Sequence, residues 1–193
     1  MALRERVSGP PASEVRGRKG GIGRSSSPAA EAVSDDLRRR RGDFLDNRRR
    51  LSALVMSGMG SLGVVAAYQF GLLRRPPEPH ITPLDAARVD ASGEAYQFLK
   101  TPDAALGLAS YAATLVLVGM GPARRAESRP WLPLALAAKV VTDAAFGVFL
   151  TVEQGSKHRR FCSWCLLAAA SSVVAVPQAV PEARAAWRAL RGR

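Results

Sequence analysis

Residues 51–73 run for 23 positions without a charge and are closed at each end by an arginine, Arg50 and Arg74. A helix rises about 1.5 Å per residue, so this stretch is long enough to cross a hydrocarbon core of roughly 30 Å. Three more apolar stretches follow at 104–123, 131–152 and 161–181. The third of the four carries Lys139 and Asp143; the others carry no charge. One such stretch is compatible with a buried helix of a soluble core, but four of nearly equal length are a membrane pattern. The expected fold is therefore all-α, a polytopic membrane four-helix bundle with spans at 51–73, 104–123, 131–152 and 161–181. A mean hydropathy of -0.03 conceals this pattern, because a polar tail is averaged with the spans.

That tail, residues 1–50, holds 13 of the 28 Lys and Arg and is rich in Gly, Pro and Ser. It lacks sustained apolar periodicity and cannot offset its ordering entropy by burial, so it is expected to be a disordered basic tail. A net charge of +12 makes nucleic acid the first partner to weigh. Only Phe44 is interleaved among the basic runs at 38–41 and 48–50, however, which leaves no aromatic platform for bases. A basic anchor beside a membrane span is the preferred reading, and nucleic acid is set aside. Four spans with the tail inside put 20 Lys and Arg in inside segments and 7 in outside ones. The positive-inside rule then expects a multi-pass cell (inner) membrane protein with both termini cytoplasmic. Residues 51–73 would serve as its signal anchor, and 182–193 as a second basic cytoplasmic tail. Gly58, Gly60, Gly63, Gly107 and the small residues of 168–172 are expected to let the helices approach closely.

The two cysteines fall together, in Phe161-Cys162-Ser163-Trp164-Cys165. Three apart on a helix they share a face. They open the fourth span, where the helix N-terminus and the nearby Lys157, Arg159 and Arg160 favour a thiolate. In the deduced topology this end is extracytoplasmic, on the side where a dithiol can cycle with a disulfide. Three readings compete: two small apolar side chains, a metal site, and a redox pair. Zinc takes about four ligands, and only His158 and His80 are available to join the cysteines, so no metal is expected. The redox pair is preferred.

With that pair in that place, the chain resembles the vitamin K epoxide reductase family. Four spans, a long first outer loop and the Cys-x-x-Cys at the outer start of the fourth span carry the resemblance. So does Asp90-Ala91-Ser92-Gly93 followed by Thr101-Pro102-Asp103 and the Gly107-to-Tyr111 opening of the second span, similar to the family's loop serine, proline, glycine and tyrosine. The resemblance covers residues 51 to about 181. It implies that Cys162 and Cys165 are catalytic and pass electrons to a membrane quinone of ubiquinone or menaquinone type. It also implies that Cys165, deeper by about 4.5 Å, lies beside the quinone while Cys162 exchanges with an incoming dithiol. Ser92 matches the loop serine, with an ordinary loop or capping role equally open. Complete members carry a second cysteine pair in the first outer loop, and here residues 74–103 contain none. A separate thioredoxin-like or other dithiol protein would then deliver electrons directly to Cys162. The alternative is a non-catalytic four-helix scaffold or quinone-binding protein that has lost part of the relay.

Other residues stand beside the pair. Lys139 and Asp143, four apart near mid-membrane, are expected to form an ion pair, with proton supply to a reduced quinone as the second reading. Tyr111, Trp131 and Trp164 have the default role of interfacial anchors. Tyr111 and Trp164 remain candidates for contact with a quinone, and His158 for tuning the Cys162 thiol.

Overall fold

The computed structural model describes residues 28–42 and 44–192. Within them lie seven α-helices: α1 (Pro28–Arg38), α2 (Leu45–Gln69), α3 (Ala86–Asp90), α4 (Asp103–Gly119), α5 (Arg125–Ser128), α6 (Trp131–Glu153) and α7 (Ser163–Arg191). No strand occurs among the described residues, and their only isolated bridge joins Leu84 to Phe161 in parallel. Three helices are long and apolar enough to cross a membrane: α2, α6 with its continuation to His158, and α7. The second apolar stretch forms α4, a shorter helix of 17 residues.

Local chemistry sets the ends of these helices, and several differ from the expected bounds. The first apolar stretch outruns its helix, because Gly71 adopts φ 75° and turns the chain after Gln69. Gly71 then donates to Tyr68 O and Leu72 to Ala67 O, the bond pattern of a glycine-terminated helix. Pro102 and Asp103 open α4, as their types favour. The α6 helix runs into a π turn (Gln154–His158) that Arg159 closes at φ 50°. The expectation of a disordered tail over 1–50 is corrected where the structure describes it: 28–38 are helical and α2 begins at Leu45. Residues 1–27 lie outside the described residues. At the C-terminal end α7 runs on beyond the expected fourth span to Arg191, through Pro177 and Pro181.

In the packing, α2 and α6 each lie against α4 and α7, which closes a ring of four helices. Leu51, Val55, Tyr111, Val118, Leu136, Val140, Ala175 and Ala179 fill its centre. Small residues sit at the closest approaches, but only some of those expected. A Cβ on Gly58 would run into the ring of Tyr111, and one on Gly107 would come within 2.8 Å of Leu62. Gly60 and Gly63 face open space, a correction to their expected role. Gly147, by contrast, lies against the backbone of Ala169, 3.1 Å from where its Cβ would be. The outer surface is apolar: Phe146 is 63% exposed and Phe149 60%, beside Val148 and Val152. A contiguous apolar face of this kind suits hydrocarbon and is costly in water.

At the end of the ring opposite the cysteines, charge is buried in a closed set of bonds. The Glu182 carboxylate on α7 accepts from Arg48 of α2 and from both Nε and Nη2 of Arg125 on α5. Arg125 also donates to the carbonyls of Leu117 and Met120, which ties the end of α4 into the set. The α1 helix docks here: Asp36 accepts from Ala123 N, and Arg49 donates to the carbonyls of Leu37 and Asp36. These bonds explain why part of the basic segment is ordered. Several of its arginines satisfy helix-end carbonyls and carboxylates instead of facing water.

Candidate redox site

The cysteine pair is placed by the start of α7 and by the chain between α2 and α4, which folds back over it. Phe161 donates to Pro83 O at 3.1 Å, and its own carbonyl accepts from Asp85 N at 2.9 Å. One carboxylate then caps two helices. Glu78 Oε2 accepts from Ala86 N at 2.6 Å, at the start of α3, and Oε1 accepts from Ser163 N at 2.7 Å, at the start of α7. These are free N–H groups of helix first turns, where a negative charge is also favoured by the helix dipole. Trp164 Nε1 donates to Pro77 O at 2.8 Å, and Ser61 of α2 donates to Trp164 O at 2.5 Å. The result is that α3 and the N-terminus of α7 are held together as one unit.

Cys162 is the N-cap of α7, and its Sγ accepts from Cys165 N at 3.2 Å. Its own N–H is held by Gln154 Oε1 at 3.0 Å, from the π turn. The Cys162 side chain is 0% exposed, enclosed with Val65, Ala66, Ala86, Val89 and Ala104. Cys165 is only half-buried. That burial bears on the expected division of labour: a protein dithiol reaches Cys162 only if some of the segments that enclose it move.

A third group completes the site. Asp90, the last residue of α3, is 3% exposed, and its Oδ1 accepts from Cys165 Sγ at 3.5 Å. Its Oδ2 is buried without a partner. The Asp90 carboxyl and the two sulphurs all lie within 4.8 Å of one another. Burial raises the carboxyl to about 6, against the opposing pull of the two neighbouring thiols; the negative charges of Asp103 and Glu78 add to the rise. Among the described residues these are the only three such groups that converge, one short of a complete tetrahedral set for zinc.

The other expected residues are distributed as follows. Trp164 packs beside the cysteines. Tyr111 is buried at the centre of the ring, and its hydroxyl donates to Ala168 O at 2.7 Å, one turn below Cys165, and pairs with Ser172 at 2.6 Å. Ser92 begins the short turn Gly93–Tyr96, two residues past Asp90, with no side-chain capping bond. His158 sits in the π turn, half-buried, and bonds to neither cysteine among the described residues. Lys139 Nζ and Asp143 Oδ1 are paired at 2.5 Å. Ser110 and Thr114 of α4 each donate to Asp143 at 2.8 Å, so the pair ties α6 to α4, apart from the cysteines. Sequence reasoning passed over Asp90, Glu78 and Gln154 as site residues. Asp90 and Glu78 are two of five acids in a loop, and a five-residue helix is too short to show which face it buries.

Helices with outward apolar faces define a helical membrane protein, and it carries two free thiols three residues apart at the start of one of those helices. Comparison with known sequences names the group. The vitamin K epoxide reductase family model matches residues 50–180, and the chain belongs to that family. The family consists of membrane thiol oxidoreductases that generally use a quinone as electron acceptor. No curated protein and no solved structure matches the chain.

Proposed function

We propose that this protein is a quinone-dependent thiol oxidoreductase, in which electrons from an extracytoplasmic dithiol protein pass through Cys162 and Cys165 to a membrane quinone. The observation that carries this reading is the pair itself. Two free thiols lie within 4.8 Å of each other at a helix N-terminus, one capping the helix and the other half-buried against Asp90. The donor thiolate attacks Cys162, forming a mixed disulfide and releasing Cys165; a second donor thiolate then frees Cys162, and both sulphurs are left reduced. A bound quinone accepts two electrons and two protons, and the pair returns to the disulfide. Tyr111 and Trp164 are the side chains we assign to its neighbourhood, with Ser92 and His158 at the rim. We place all four helices across the membrane, α4 as the shortest, with both termini cytoplasmic and the cysteines outside. The 20-to-7 distribution of Lys and Arg favours that orientation.

The second reading is a scaffold or quinone-binding protein without turnover. It draws support from the full burial of Cys162 and the absence of cysteine from residues 74–103. Reconstitution with a soluble quinone and dithiothreitol separates the two. Catalysis predicts quinone reduction that C162S and C165S each abolish. Equal background rates in all three proteins would leave the scaffold standing.

A further inference from the structure

We propose that Asp90 is the proton carrier of the cysteine pair: its carboxylate takes the proton of Cys165 as that thiol becomes a thiolate, and returns it when the Cys162–Cys165 bond is broken. The inference rests on the redox reading of the pair and extends it to a residue outside the Cys-x-x-Cys motif.

Geometry carries it. Asp90 Oδ1 is the acceptor of the Cys165 thiol at 3.5 Å, so the path for that proton is a single hydrogen bond. The carboxyl is 3% exposed, and its second oxygen, Oδ2, has no partner, which leaves a site for a proton and no donor already in place. The titratable groups acting on it are Cys162 and Cys165 from α7, Asp103 at the start of α4 and Glu78 from the loop. Tyr96 is coupled to it as well. None of these is basic, so no nearby cation holds the carboxylate in its charged form. Burial accordingly raises Asp90 to about 6, close enough to neutrality for both protonation states to be used.

The redox state of the pair then sets the state of the acid. With the pair reduced, the Cys165 S–H donates to Asp90. With the pair oxidised, neither sulphur carries a hydrogen, and a carboxylate in that dry site would face no thiol donor, so it keeps the proton. On reduction, a donor thiolate forms a bond to the Cys162 sulphur, and the electron pair of the broken S–S bond leaves on Cys165. The Asp90 carboxyl delivers its proton to that sulphur. The donor dithiol is the reductant, and one proton moves without passing through bulk water.

The test uses the full chain in lipid nanodiscs without any quinone. Reduction of the Cys162–Cys165 disulfide by dithiothreitol is followed from pH 5 to 8 and normalised to the thiolate fraction of the reagent. With the pair oxidised no thiol donor is left to lower Asp90, so wild type should show a fall in rate at or above about pH 6, and D90E should keep that step. D90N retains an oxygen that can accept from the thiol but carries no transferable proton. It should lose the step and be about 10-fold or more slower at pH 5.5. A wild-type profile with no step between pH 5 and 8 overturns the proposal whether or not D90N folds, as does a D90N profile identical to wild type. A pair that shows the step but never reduces a quinone would overturn the acceptor reading instead, so the two failures are distinguishable.

Discussion

A carboxyl group buried between two thiols is held against its own solvation, and the molecule bears that cost in a defined pH window. Asp90 binds its proton up to about pH 6, whereas in an unfolded chain it would release it near 3.8. Between these values the native state holds more protons than the unfolded one, so this group's contribution to stability declines as pH rises through the window and stays low above it. The full effect is about 3 kcal/mol at most. D90N removes the titration. Its melting temperature in detergent should therefore gain on wild type between pH 4 and 7, and a constant gap would contradict the burial argument. At Cys162 the relevant property is capping. Serine can accept from the residue 165 N–H as the Cys162 sulphur does, while alanine cannot. C162A should cost about 1 kcal/mol more than C162S in the same melting assay.

At the scale of elements, the joint between α3 and α7 decides access to the site. Both helix N-termini share the Glu78 carboxylate, and the Leu84–Phe161 bridge closes over them. E78A leaves two first-turn N–H groups without their acceptor, a loss of about 1–3 kcal/mol. Because α3 lies over Cys162, the variant should also alkylate at Cys162 several-fold faster than wild type. Unchanged alkylation would mean that α3 does not gate the pair. These elements also show what could be read from the residues alone. The long helices were legible, because charge-free stretches closed by arginines have few other solutions. The exact ends were not: Gly71 stops α2 early, and Pro177 and Pro181 fail to stop α7. The Cys-x-x-Cys was legible from its spacing, but Asp90 and Glu78 were not. Their roles depend on the loop folding back by a parallel bridge and shared caps, contacts that leave no periodic signal.

For the whole molecule, two sets of charge brace the ring, one buried at its end and one half-buried between helices. Glu182 with Arg48 and Arg125 closes one end, and Lys139 with Asp143, Ser110 and Thr114 joins α4 to α6. If the Lys139–Asp143 pair is structural, K139A or D143A alone strands a charge in low dielectric and should cut membrane expression more than K139A/D143A does. Additive losses would contradict that pairing. A polar brace inside an apolar exterior also accounts for the sequence averages: the charge is gathered at the ends and in a few buried contacts, and the surface between them is left to lipid. What the ring holds in place is the thiol pair. Its redox state in native membranes, trapped with a thiol alkylator and read by mass shift, is therefore the most direct measurement. Adding oxidised quinone should convert Cys162 and Cys165 from dithiol to disulfide, and neither C162S nor C165S should respond. Thiols that stay reduced whatever the quinone would contradict the account.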